Sequence, residues 1–280
     1  MALTKEQASR DVQTKDWKLR YYEAGEGHPL ILIHGSGPGA TGWSNFSSNI
    51  EELARNFHVY ALDMPGWGDS QACTKETLDH NSATIQFMDA LGIEKAALIG
   101  NSMGGIVALS VAVDHPDRVS HLITMGSGSS PMPKLFSAGD GPTEGLKYLQ
   151  QAYRTPTPEA MMALVNIMVY DKSFASPDLC QARSDAAMGR PEHLTNFLDM
   201  LNKGGPINSW APMDQLMKMH IPALLIHGRD DRVVPYEHSL LLCAHIPNSR
   251  LVLLNRCGHW AMIEHAEEFN RMVADFIKHN

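Results

Sequence analysis

Ala96-Ala-Leu-Ile-Gly100-Asn101-Ser102-Met103-Gly104-Gly105-Ile106-Val-Ala-Leu-Ser110 is the stretch that decides the fold. A short apolar run, AALIG, passes without a loop into an apolar helical pattern that continues to Asp114. The junction reads Gly100-x-Ser102-x-Gly104. A strand turned so sharply into a helix holds its serine in a strained backbone conformation, so the residues two before and two after must be small. The turn lifts the hydroxyl above the carboxyl edge of a sheet, at a helix N-terminus that favours developing negative charge. Ser102 is thus a candidate nucleophile; a plain Gly-Ser helix cap is the other use of such a sequence.

Outward from this junction, short apolar runs bounded by turn residues predict strands at Pro29–Ile33, His58–Leu62, His121–Met125, Ala223–His227 and Arg250–Leu254, with Ala96–Ile99 as the sixth. Helical patterns at Leu78–Leu91, Met103–Asp114, Tyr236–Ala244 and Ala266–His279 alternate with them. Such alternation implies an α/β fold with a mostly parallel central sheet flanked by helices. The alternation stops between Gly126 and Pro212. A loop-like stretch, GSGSSPMPKLFSAGDGP, is followed by helical segments at Gly145–Tyr153, Pro158–Tyr170, Pro177–Met188 and Pro191–Leu201. The expected organisation is a core of residues 1–128 and 211–280 with a helical cap, 129–210, inserted into it. Met161, Met162, Met168, Met188 and Met200 would give that cap a pliable apolar pocket, or serve in ordinary helix packing.

A serine needs a base to lose its proton at neutral pH. His259, in Cys257-Gly258-His259-Trp260, follows the last strand and so reaches the sheet edge that carries Ser102. His34 and His227 end earlier strands and fit the place less well. The acid should follow the strand between serine and histidine, in Gly228-Arg229-Asp230-Asp231-Arg232-Val233-Val234-Pro235. The spacing favours Asp231, with Asp230 as the alternative; the chain order is then Ser…Asp…His. The acid fixes the imidazole tautomer and stabilises the imidazolium. Two backbone N–H groups are needed for an oxyanion hole. Met103, after the nucleophile, supplies one. Ser36 supplies the other, from the loop His34-Gly35-Ser36-Gly37-Pro38-Gly39, where Gly35 and Gly37 let the backbone approach the substrate oxygen.

The chain has 280 residues, is 44% hydrophobic and carries a formal charge of −8, so it can bury one sizeable core, and neither nucleic acid nor an anionic membrane is an expected partner. No apolar run reaches the length of a membrane span, and the polar start MALTKEQASRDVQTKDWKLRYYEAG does not read as a secretory signal. Cys73, Cys180, Cys243 and Cys257 are scattered, which suggests neither a disulfide frame nor a zinc site and fits a reducing, cytoplasmic setting. The 14 histidines form no metal-binding spacing, so no metal is expected. A rival reading takes Gly35-x-Gly37-x-x-Ala40 as a dinucleotide fingerprint with Asp63 as the ribose acid. Asp63 falls too late for that role, Pro38 removes an N–H from the phosphate loop, and the serine, acid and histidine segments go unexplained.

Taken together, HGSGPGATGWSNF, GNSMGG, QARSDAAMGRPEHLTNFL, GRDDRVVP and CGHWAMIEHAEEFN resemble the meta-cleavage product hydrolases of the α/β-hydrolase superfamily over nearly the whole chain. These are carbon–carbon bond hydrolases of bacterial aromatic degradation that use no metal or organic cofactor. The resemblance implies a small-molecule 2-hydroxy-6-oxohexa-2,4-dienoate substrate, cleaved beside the 6-oxo carbon, and a homodimer or larger homo-oligomer. It implies that Arg183 grips the carboxylate and 2-oxo end, with Arg190 as competitor, and that Asn101, Trp260 and Asn45 are polar pocket residues. Asn45 reads equally as a helix-start asparagine. The implied chemistry is ketonisation of the dienol, then attack on the ketone by Ser102 or by water that His259 activates. Phe136, Phe174 and Met168 hint at an apolar tail on the 6-oxo carbon. A carboxylesterase with the same triad is the alternative function.

Overall fold

The computed structural model describes residues 2–131, 135 and 142–280. Eight strands form one sheet: β1 (Ser9–Gln13), β2 (Lys18–Ala24), β3 (His28–Ile33), β4 (Phe57–Leu62), β5 (Ala96–Asn101), β6 (Val119–Met125), β7 (Ala223–Gly228) and β8 (Ser249–Leu254). Their order is β1-β2-β4-β3-β5-β6-β7-β8; β1 and β2 are antiparallel and the rest run parallel from β4 onward. The helices are α1 (Lys5–Ala8), α2 (Gly42–Leu53), α3 (His80–Ala90), α4 (Met103–Asp114), α5 (Glu144–Arg154), α6 (Pro158–Met168), α7 (Pro177–Met188), α8 (Pro191–Asn202), α9 (Met213–Leu216), α10 (Glu237–His245), α11 (Ala261–Glu264) and α12 (Ala266–His279).

All six expected strands are present, and the central ones are largely buried because helices cover both faces of a parallel sheet, whereas the edge strand β8 buries only Leu254. Every residue of β5 is buried, and α4 packs on it with ten buried residues of twelve. A helix apolar all round must be enclosed on every side. Truncating a fully buried side chain there, such as Leu98, would cost about 2–5 kcal/mol.

The chain runs from β4, on one side of β3, to β5 on the other. At that reversal the loops after β3 and β5 diverge and leave a crevice outside the carboxyl ends of the strands. The glycine-rich loop follows β3 and Ser102 follows β5, so the topology itself brings them together.

Two features lie outside the sequence expectation. The polar N-terminus forms the β1–β2 hairpin at the sheet edge, where Asp11 and Arg20 sit opposite one another and pair at 2.7 Å. Helix α2 arises from a segment rich in Ser and Asn. Thr41 caps it in a reciprocal capping box with Ser44, and Phe46, Ile50 and Leu53 form its buried stripe. Between β6 and β7, α5 to α8 pack on one another as four helices.

Candidate active site

Ser102 has φ 55° and ψ −115°, a conformation that side chains rarely adopt, and its N–H donates to the Met125 carbonyl at 2.8 Å. A Cβ on Gly100 would be driven into the Gly104 carbonyl, and one on Gly104 into the Ile33 carbonyl. The sequence reading of the junction rests on this crowding.

His259 Nδ1 lies 2.7 Å from Asp231 Oδ2, both side chains being buried. The Val233 and Val234 N–H groups donate to Asp231 Oδ1 at 2.7 and 3.0 Å, and His227 Nε2 lies 3.2 Å from Oδ2. Burial pushes the Asp231 pKa up, but the His259 and His227 imidazoles and their hydrogen bonds override it and hold the carboxyl well below the usual range. The His259 N–H is tied to the Met168 carbonyl at 2.6 Å, so the end of α6 helps place the loop.

Ser102 and His259 share a narrow cavity with Gly35, Ser36, Gly37, Asn45, Asn101, Arg183 and Trp260. Met103 opens α4, where an N–H has no intrahelical acceptor, and Ser36 N–H meets no acceptor among the described residues. A Cβ on Gly35 would press on Asn101 Oδ1 and Ser102 Cβ at 3.1 and 3.2 Å.

Arg183 is 5% exposed, yet its guanidinium faces no carboxylate among the described residues and its Nε has no hydrogen-bond partner. Its guanidinium carbon stands 4.7 Å from the centre of the Trp260 ring, a cation–π contact. Burial lowers its pKa to about 10, which leaves it charged at neutral pH. An anion entering the cavity would offset this buried charge.

A model of the alpha/beta hydrolase family matches residues 30–272. The 2-hydroxy-6-oxononadienedioate/2-hydroxy-6-oxononatrienedioate hydrolase of Burkholderia vietnamiensis is 42% identical, over 93% of this chain and 91% of that one. The 2-hydroxy-6-oxo-6-phenylhexa-2,4-dienoate hydrolase of Comamonas testosteroni is 38% identical, over 94% and 92%. Among solved structures, a serine-to-alanine mutant of the meta-cleavage product hydrolase CumD from Pseudomonas fluorescens superposes with a TM-score of 0.83 at 32% identity, covering 96% of this chain and 97% of CumD. The chain belongs to the alpha/beta hydrolase family, among its meta-cleavage product hydrolases.

Around this cavity the structure of the hydrolase places the other residues that the sequence brought forward. Both Asn101 amide hydrogens donate to backbone carbonyls, of Met125 at 3.1 Å and His259 at 3.2 Å, so its amide group holds the two loops together and leaves Oδ1 facing Asn45 at 3.5 Å. Asn45 caps nothing, since Thr41 is the cap of α2. Arg190 lies apart from the cavity lining, donating to the Gly68 and Ser70 carbonyls and to Glu192. Asp230 turns towards Arg229 at 3.6 Å. Asp63 is buried beneath α2, accepting from Gly42 and Asp69 N–H groups, out of reach of any ribose. Of the five methionines, Met168 alone lines the cavity among the described residues, and Met188 is 57% exposed. Phe174 packs partly buried against the core, and Phe136 lies outside the described residues. His227 is the contributor that sequence reasoning passed over; its place four residues before Asp231 was the available signal.

Proposed function

We propose that this hydrolase cleaves the carbon–carbon bond beside the 6-oxo group of a 2-hydroxy-6-oxohexa-2,4-dienoate, giving 2-hydroxypenta-2,4-dienoate and a carboxylic acid. Arg183 carries the reading: an under-compensated buried cation in the cavity of Ser102 and His259. A simple ester offers nothing to offset that charge, whereas the dienoate brings a carboxylate and a 2-oxyanion that a planar guanidinium can bind through paired hydrogen bonds. This disfavours a carboxylesterase.

In this reading the 2-hydroxyl proton moves to C5, leaving a 2-ketone conjugated with C3=C4 and a saturated carbon between the two ends. Ser102 then attacks C6 as its proton passes to His259, and the C6 oxyanion rests on the Ser36 and Met103 N–H groups. The C5–C6 bond breaks, its electron pair flows to the 2-oxygen beside Arg183, and the proton held on His259 passes to that dienolate, which leaves as 2-hydroxypenta-2,4-dienoate. The neutral His259 then takes a proton from water as the water attacks the acyl carbon, and returns it to the Ser102 oxygen as the acid is released. Asp231 keeps the imidazole oriented throughout. The residues 129–210 act as a cap on the core formed by 1–128 and 211–280, and a reducing, cytoplasmic setting and a homo-oligomeric state belong to the same proposal.

The test is spectrophotometric. The 6-phenyl and 6-methyl dienoates are coloured, and cleavage bleaches them. Bleaching by the wild type that Ser102→Ala abolishes is the expected result; turnover of an aryl ester without bleaching would sink the dienoate reading.

A further inference from the structure

Three successive carbonyls of the loop after β3 are each held by a different side chain. His34 Nδ1 lies 2.7 Å from the Gly35 carbonyl, the Tyr153 hydroxyl 2.8 Å from the Ser36 carbonyl and Trp67 Nε1 3.2 Å from the Gly37 carbonyl. The donors are fixed by their other partners. His34 Nε2 accepts the Met64 N–H at 3.0 Å, so the ring proton is on Nδ1 and points at Gly35. Burial lowers the His34 pKa to about 4, which keeps this neutral tautomer at neutral pH. The Tyr153 hydroxyl accepts Trp67 Nε1 at 3.0 Å, so its single proton is committed to Ser36.

A trans peptide points its N–H away from the carbonyl of the preceding residue. Pinning the Gly35 and Ser36 carbonyls therefore sets the directions of the Ser36 and Gly37 N–H groups. Neither N–H meets an acceptor among the described residues, and both residues line the cavity beside Ser102. Were the Gly35 carbonyl to rotate inward, it would replace the Ser36 N–H with an acceptor where a developing oxyanion needs a donor; an inward Ser36 carbonyl, the one Tyr153 holds, would do the same to the adjacent Gly37 N–H.

We propose that His34, Trp67 and Tyr153 are positioning residues that pre-organise the oxyanion loop, and that Tyr153 makes this arrangement depend on the seating of α5. Tyr153 is anchored at that end by a parallel stack on Phe197 of α8, with ring centres 3.7 Å apart. Trp67 comes from the core side and packs edge-on against Phe197 and His34. Movement of α5 and α8 away from the core thus withdraws one of the three supports and loosens the hole. This inference rests on the reading of Ser102 as nucleophile.

Tyr153→Phe keeps the ring and its stack and deletes only the hydroxyl; Trp67→Phe deletes the indole donor. Both are assayed for cleavage of the 6-phenyl dienoate, for inhibition by phenylboronic acid (a tetrahedral adduct of the serine with an oxygen in the hole) and for binding of benzoate as a ground-state ligand. The expected result is a fall in kcat of about tenfold or more, with KM within about twofold. Phenylboronic acid should weaken by the same factor while benzoate affinity and thermal midpoint hold. The proposal is overturned if both variants keep kcat and boronic acid affinity, or if benzoate affinity and thermal midpoint fall together with kcat, since that marks a packing role. A Ser102→Ala control separates the two readings: activity and boronic acid binding that survive it overturn the nucleophile assignment and this inference with it. Loss of both there leaves the loop proposal to stand or fall on its own variants.

Discussion

His227 Nε2 lies 3.2 Å from Asp231 Oδ2, the oxygen that also meets His259 Nδ1 at 2.7 Å. The same nitrogen faces the Val234 carbonyl at 2.8 Å, an obligatory acceptor, so it carries the proton, and Ser239 Oγ lies 2.7 Å from Nδ1. With the Val233 and Val234 N–H groups on the other oxygen, the carboxylate is held from two sides and cannot swing from His259. A hydrogen bond to a charged group is worth ~1.5–3 kcal/mol. His227→Phe should therefore lower kcat by about tenfold or more with little change in KM. Unchanged kcat would mean that the two backbone donors orient Asp231 unaided.

The neighbouring aspartates should differ sharply. Asp231→Asn keeps the shape but favours the wrong tautomer of His259, so a loss of about 10⁴-fold in kcat is expected. Asp230→Asn, whose side chain faces Arg229, should stay within about twofold. Comparable losses in the two variants would show that the acid has been assigned to the wrong residue.

The parts of this molecule that the sequence made legible are those where one segment must satisfy a local rule. Gly100 in Gly100-x-Ser102-x-Gly104 is forced by the Gly104 carbonyl four residues on, although Gly104 itself is crowded by the distant Ile33 carbonyl, and α4 and α12 begin and end where their patterns do. Helix α3 starts two residues later than expected because Asp79 accepts the Ser82 N–H and sets the cap. The β1–β2 hairpin was hidden because an edge strand keeps charged side chains, and only pairing across the hairpin joins Asp11 to Arg20. In α2, Ser and Asn dilute an apolar stripe that Thr41 then caps. The support given by His227 and Tyr153 is a matter of tertiary placement: Tyr153 and Ser36 are 117 residues apart. No local spacing announces such a contact.

Arg183→Ala should lower kcat/KM on a dienoate by about 10- to 100-fold, the worth of one or two hydrogen bonds to a charged group. Hydrolysis of an aryl ester by the same variant should change little, because the ester has no anionic end. Equal losses on both substrates would refute the binding role. Arg190→Ala is the companion variant; since Arg190 holds the Gly68 and Ser70 carbonyls, its dienoate turnover should stay within a few-fold.

Stability should fall as pH drops from 7 to 5. Burial lowers the pKa of His34, His80 and His238 to about 4 in the folded chain. Between pH 6.5 and 4 the unfolded rings bind protons that the folded rings refuse, so stability rises with pH across that window and is lost on acidification. Each ring contributes on the order of 1–2 kcal/mol by pH 5. Asp63 acts in the opposite sense: burial raises its pKa to about 7, so the folded state takes up a proton first and gains on acidification. Three rings outweigh one carboxyl, and calorimetry should give a lower thermal midpoint at pH 5 than at pH 7. A higher midpoint at pH 5 would mean that Asp63 dominates.

The tail on the 6-oxo carbon should be uncharged. Among the described residues lining the Ser102 cavity, Arg183 is the one permanently charged side chain, and in the proposed pose it serves the carboxylate end. A second, small cavity is bounded by Ile106, Leu109, Gly128, Trp210 and Leu242, with Ser129 and Ser130 as its polar edge. A dioate would carry a second carboxylate into surroundings of this kind without a cation, at a cost of several kcal/mol. The relative from Burkholderia vietnamiensis is named for dioates and that from Comamonas testosteroni for a 6-phenyl dienoate. By the lining residues, this chain should resemble the second in substrate choice despite its higher identity to the first. In competition, kcat/KM for the 6-phenyl and 6-methyl dienoates should exceed that for 2-hydroxy-6-oxononadienedioate by about tenfold or more. A preference for the dioate would place the tail carboxylate in water or against a cation outside these two cavities, and would overturn the apolar reading.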